Sequence, residues 1–139
     1  MILLDTNVLI YAFDPDSPFC HWAKETIAEA VAGDGAAINA VSLAEICVGD
    51  ADPPTAADRI RSWGVEILDV PAAAADECAK AYRRYRQQRV PQSDVPVPIM
   101  PLPDFFISAH AKIMGWELAT ADQGRLHTYF PSVSLKMPP

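Results

Sequence analysis

The sequence predicts an α/β domain arranged around a mainly parallel sheet. Short apolar runs alternate along the chain with longer segments of helical period, and Gly or Pro stands at most of the junctions between them. At 139 residues and 15.1 kDa, with half of its residues hydrophobic, the chain has the material for one core and not for two. A single domain over residues 1–139 is therefore expected.

The elements follow in order. Residues 2–5 form a short apolar strand that ends on Asp5, and residues 6–13 begin a helix that Asp5 or Thr6 can cap. Pro18 opens a second helix over 18–32, with Phe19, Trp22, Ala23, Ile27, Ala30 and Val31 on one side, and the glycines at 33 and 35 stop it. Residues 36–39 form a second strand, and Ser42 starts a helix that runs to Val48. The Pro pair at 53 and 54 restarts a helix that reaches Gly64. Residues 65–70 are a third strand, and Pro71 opens a long helix to about Arg89.

The proline-rich stretch 90–103 has no periodicity and is too short to separate domains, so it reads as a surface loop. A helix over 104–114 is ended by Gly115. Residues 117–120 form a fourth strand, 125–129 a short helical piece and 133–135 a last strand. There is no internal repeat and no low-complexity tract.

Composition excludes several classes. No apolar run approaches the ~20 residues of a membrane span, and the N-terminus meets an acid at Asp5, so a cytoplasmic protein is expected. Cys20, Cys47 and Cys78 are odd in number and lack partnering histidines, which fits reduced, packed thiols better than disulfides or a zinc site. The net charge of −7 opposes nucleic-acid binding as a bulk property. Positive charge is nevertheless concentrated in Lys80, Arg83, Arg84, Arg86 and Arg89. That run is either a solvated helix face or a phosphate-binding patch.

Ligands of open α/β sheets gather outside the carboxyl ends of the strands. Asp5 closes the first strand and Asp122 lies two residues beyond the fourth, while Glu45 and Asp104 stand in the first turns of helices that can start at the same edge. Four such acids repel one another unless a cation holds them ionised. All-oxygen ligands suit Mg²⁺ or Mn²⁺, and ions held this way activate water for attack on a phosphodiester.

Each acid also has a structural use. Asp5 and Asp104 can be N-caps, Glu45 completes a Ser-x-x-Glu capping box with Ser42, and Asp122 can be a turn residue. The histidines His21, His110 and His127 lack spaced partners, no Gly-rich phosphate loop is present, and Ser42, Ser108 and Cys47 sit in no nucleophile-elbow context.

Five segments in order resemble the PIN-domain nucleases, and within them the VapC-type toxins of bacterial toxin–antitoxin modules. They are ILLDTNVLI (2–10), NAVSLAEICV (39–48), PDFFISAHAKIMG (103–115), LATAD (118–122) and YFPSVSL (129–135). The resemblance implies a three-layer α/β/α PIN domain with a four- to five-stranded, mainly parallel sheet. It implies an acidic site of Asp5, Glu45, Asp104 and Asp122, in which Asp5 and Asp104 are the surest ligands of Mg²⁺ or Mn²⁺. Thr6, Asn7 and Thr120 are then supporting polar groups. Endonucleolytic cleavage of RNA, a homodimer and inhibition by a cognate VapB-type antitoxin also follow, and a basic antitoxin would be drawn to the net negative charge.

Two other readings remain. A phosphatase using Asp5 as nucleophile would want a second acid two residues on, where the chain has Asn7. A catalytically silent PIN fold kept for binding would be free to lose some of the four acids, and all four are present.

Overall fold

The computed structural model describes residues 1–49, 53–88, 102–122 and 126–139. Five short strands, β1 (Ile2–Leu4), β2 (Ala36–Asn39), β3 (Glu66–Leu68), β4 (Glu117–Ala119) and β5 (Leu135–Lys136), form one sheet. Its order is β3-β2-β1-β4-β5 and every pairing is parallel. Six helices complete the described elements: α1 (Thr6–Phe13), α2 (Cys20–Ala32), α3 (Ala40–Val48), α4 (Pro53–Ser62), α5 (Ala72–Gln88) and α6 (Leu102–Met114).

Successive strand residues point to opposite faces, and the core divides accordingly. Leu3, Ala37 and Leu118 join Cys78, Phe105, Ile107 and Phe130 in one cluster. Leu4, Ile38 and Ala119 join Val8, Leu9, Ile27, Ile46 and Ile60 in the other. Sheet residues buried on both faces need no polar alternation, which is why ILL and the AAI that precedes Asn39 read as continuous apolar runs. The result is the expected α/β/α sandwich with five strands.

The strand order has one consequence for ligands. From β1 the chain first adds strands on one side, β2 then β3, and later returns to add β4 and β5 on the other. The order therefore reverses between β1 and β4, and the crevice outside their carboxyl ends is the binding position of such sheets. Residues 5–7 and 120–122 are the first to follow those two strands.

Local chemistry sets where elements stop. Gly115 takes φ +68°, and the amides of Gly115 and Trp116 bond back to Lys112 and Ala111, closing α6 one residue ahead of the approach to β4. Gly64 takes φ +87° after α4, and a Cβ there would meet Val31 Cγ1 at 2.8 Å. Both are helix ends that the sequence marks.

Several boundaries differ from expectation. α2 starts at Cys20, because Ser17 and not Pro18 organises the turn: its hydroxyl accepts from Phe19 N and its carbonyl from Cys20 N. α3 starts two residues before Ser42, with Asn39 as its cap. α6 starts at Leu102, so Asp104 lies inside the first turn and not at the cap; a proline is tolerated there because first-turn amides have no intrahelical acceptor. β3 and β4 are shorter than expected, and β5 is Leu135–Lys136 rather than 133–135. The expected helical piece near 125–129 is a pair of turns, Tyr129 N to Leu126 O and Phe130 N to His127 O. Most of the 90–103 loop, together with Arg89 and Arg125, lies outside the described residues.

The three cysteines are free, with Cys78 buried and Cys20 and Cys47 partly so. Among the described residues, no helix is long and apolar enough to cross a membrane.

Candidate metal centre

Asp5 is the hub of the carboxyl edge. It caps α1: its Oδ1 accepts the Thr6 amide at 2.8 Å. Its Oδ2 accepts the Thr120 hydroxyl at 2.8 Å and the Asn7 side-chain amide at 3.3 Å. The backbone helps, since Asp5 N donates to Ala119 O at 2.9 Å and so continues the β1–β4 ladder by one step. Capping and site-building are the same act here.

The neighbours lock the loop that follows β4 onto this hub. Asn7 Oδ1 accepts the Ala121 amide at 3.1 Å, and Thr120 Oγ1 accepts the Asp122 amide at 3.0 Å. Thr120 therefore donates to Asp5 while accepting from Asp122, which fixes the start of residues 120–122 relative to β1. Thr120 is 4% exposed, so these bonds compete little with water.

Glu45 is brought in by a different route. The capping box with Ser42 does not form. Asn39 is the last residue of β2, and its Oδ1 takes the Ser42 amide at 3.1 Å, so it is the cap and Glu45 falls in the second turn of α3. Glu45 Oε1 instead accepts the Thr6 hydroxyl at 2.7 Å. Ser42 Oγ is left buried without a hydrogen-bond partner.

Electrostatics agree with this placement. Desolvation pushes the Asp5 carboxyl above the ordinary carboxylate value of 3.8, and the hydrogen bonds from Thr120 and Thr6 only partly offset it. The negative charges of Glu45 and Asp122 raise it further. Asp5 is a carboxylate held by donors yet short of positive charge.

One pocket is lined by Asp5, Asp104 and Asp122 together with Thr120, Ser108 and His127. Glu45 is not part of its lining; it reaches Asp5 through Thr6. Among the described residues, no three His, Cys, Asp or Glu side chains already form a metal-holding group. The donor set nevertheless fits a hard divalent cation: it is all oxygen, and its central carboxylate is destabilised by two like charges that a cation would neutralise. Expectation singled out Thr6, Asn7 and Thr120, and all three are engaged. It did not single out Asn39 as the cap or Ser108 and His127 as pocket residues.

One more polar pair braces the site from below. Asn39 Nδ2 lies 3.2 Å from His110 Nδ1, with the two side chains 0% and 1% exposed. Asn39 Oδ1 is already used by Ser42, so Nδ2 donates and His110 Nδ1 accepts. Burial also lowers the His110 pKa below its ordinary 6.5, consistent with a neutral ring. The pair links the cap of the helix carrying Glu45 to the helix carrying Asp104.

The PIN domain family model matches residues 2–130. The chain belongs to the PIN-domain family. Similar solved structures include VapBC2 from Rickettsia felis bound to a DNA fragment from their promoter, at 21% identity over 100% of both chains with a TM-score of 0.72. FitAcB from Neisseria gonorrhoeae is 21% identical over 97% of this PIN chain and 96% of its own, with a TM-score of 0.63. Mycobacterium tuberculosis VapC20, described as a sarcin-ricin loop cleaving toxin, is 18% identical over 92% and 94%, with a TM-score of 0.64. No curated protein is a match to the sequence. At these identities the solved structures establish a shared fold for this PIN domain.

Proposed function

We propose that this PIN domain is a metal-dependent endoribonuclease of VapC type, the toxin of a toxin–antitoxin module. The observation that carries the reading is Asp5: a desolvated carboxylate at the reversal point of the sheet, pushed up by Glu45 and Asp122 and sharing a pocket with Asp104. Such an arrangement costs stability unless it binds positive charge. The similar VapBC structures support a VapB-type antitoxin as the partner, and the proposal takes the toxin to be a cytoplasmic homodimer.

In this reading Asp5 and Asp104 hold Mg²⁺ or Mn²⁺, and Asp122 and Glu45 complete the acidic set. The bound ion supplies positive charge that activates water and offsets the charge growing on the phosphodiester. Thr120 and Asn7 keep Asp5 Oδ2 in one direction, and Thr6 fixes Glu45. Asp122, which lines the same pocket as Asp5, is the proposed acceptor of a proton from the attacking water, and Glu45 supports Asp5 through Thr6.

The test is cleavage of a mixed RNA pool by purified protein free of antitoxin. Cutting is expected with Mg²⁺ or Mn²⁺ and is expected to stop with chelator. Asp5→Asn and Asp104→Asn should each abolish it while circular dichroism stays native. Full cleavage by either variant would contradict the assignment.

A further inference from the structure

The basic run left open by the sequence, from Lys80 to Arg86, lies on α5. α5 and α6 are antiparallel: Lys112 near the end of α6 pairs with Glu77 near the start of α5 at 2.7 Å, while Tyr82 packs edge-on and Tyr85 tilted against Phe105 at the head of α6. The arginine-bearing end of α5 therefore lies beside the turn that carries Asp104. Tyr129 is packed into the same aromatic group through Tyr85 and Phe105.

Arg84 is fixed on this assembly. Its Nη2 donates to the carbonyl of Tyr129 at 2.9 Å. Tyr129 belongs to the 126–130 turns, whose Leu126, His127 and Phe130 wall the acidic pocket. A guanidinium has five N–H donors, so this one bond orients the group and leaves others to face solvent. Gln88 steadies the same corner by accepting the Tyr129 hydroxyl at 3.0 Å.

Charge pairing separates this end of α5 from the rest. Lys80 is paired with Asp76 at 2.9 Å and Lys112 with Glu77. Among the described residues, Arg83, Arg84 and Arg86 are exposed and have no carboxylate partner. Of these three, Arg84 is the one tied to the turns that line the acidic pocket, through the Tyr129 carbonyl. Screening limits its reach to ~8 Å at physiological salt, so it acts on what is bound beside that pocket and not on distant encounters.

We propose that Arg84 is a phosphate contact for the RNA strand, flanking the pocket and holding the backbone while the scissile bond lies over the acids. The assignment rests on the ribonuclease reading above. A polyanion approaching three carboxylates needs a cationic hold outside the metal site, and a guanidinium matches a phosphate in shape and donors.

The experiment measures cleavage of a labelled single-stranded RNA of mixed sequence with Mn²⁺ across a salt series. The wild type is compared with Arg84→Gln, Arg84→Lys and, as control, Arg61→Gln, whose charge is already balanced by Asp58. Arg84→Gln should raise KM about five-fold with kcat within about two-fold, and lower the dependence of log KM on log salt by about 0.7. Arg84→Lys should recover most of the loss, and Arg61→Gln should change nothing. Unchanged KM and salt slope in Arg84→Gln would overturn the proposal. So would unchanged RNA kinetics combined with a weakened toxin–antitoxin complex, which would assign the surface to a protein partner. A wild type that cuts no RNA would remove the ribonuclease reading itself and the proposal with it.

Discussion

The Asp5 cluster and the Asn39–His110 pair are both polar groups set into apolar surroundings, and they meet burial in opposite ways. Asn39 and His110 are satisfied by each other and by Ser42, carry no charge, and are almost wholly enclosed. Asp5 has donors on both oxygens yet retains an unbalanced charge, with two further acids raising its proton affinity. A satisfied neutral pair adds rigidity. An under-compensated anion stores a cost that a bound cation can relieve. The difference separates a brace from a site within one domain.

The largest effect on that contrast is expected at the acids. Asp5→Asn and Asp104→Asn should lower RNA cleavage by ~10³-fold or more, the scale of losing charge stabilisation at a reacting group, read by initial rates at saturating Mn²⁺. His110→Leu should destabilise the fold by ~1–3 kcal/mol, because it strands the buried Asn39 amide, whereas His110→Asn keeps an acceptor and should cost less. Urea unfolding midpoints measure both. Equal midpoints for the two variants would mean that the pair contributes only packing.

Metal should distinguish the regions next. Mn²⁺ at 100 times its Kd should stabilise the wild type by ~2.7 kcal/mol through linkage, leave a similar gain in His110→Asn, and give little in Asp5→Asn. Thermal melts with and without chelator show this directly. A comparable gain in Asp5→Asn would place the ion elsewhere.

The smallest effect is the pH dependence, and here the two regions have opposite signs. Native His110 gives up its proton at lower pH than the unfolded chain, whose histidine titrates near 6.5. Its contribution is complete above that value and is lost as pH falls below it. Native Asp5 keeps its proton to higher pH than an unfolded aspartate at 3.8, so stability of the metal-free protein falls as pH rises through that range. His110→Asn should flatten the slope below pH 6.5, and Asp5→Asn the slope above 3.8.

Much of this was legible in the sequence, for identifiable reasons. Asp5 and Asp122 follow strands whose apolar runs are unmistakable, so their place at the sheet edge could be read from order alone. Glu45 was harder. Ser42-x-x-Glu45 satisfies a capping pattern, but the cap is chosen by where β2 ends in the sheet, and that makes it Asn39. Asp104 reads in the sequence either as a first-turn acid or as a cap, because Pro103 looks like the end of a loop, and a proline in fact fits the first turn of α6. The Asn39–His110 contact joins residues 71 apart and has no local signature. Arg84 stood in a visible charge run, yet only the Tyr129 carbonyl distinguishes it from its neighbours.

The central claim is that the Asp5 pocket binds a divalent cation. Isothermal titration of Mn²⁺ into the metal-free wild type, Asp5→Asn and Asp104→Asn tests it most directly. The wild type should bind, and each variant should bind at least about ten-fold more weakly with its native fold retained. Equal binding by all three proteins would contradict the claim.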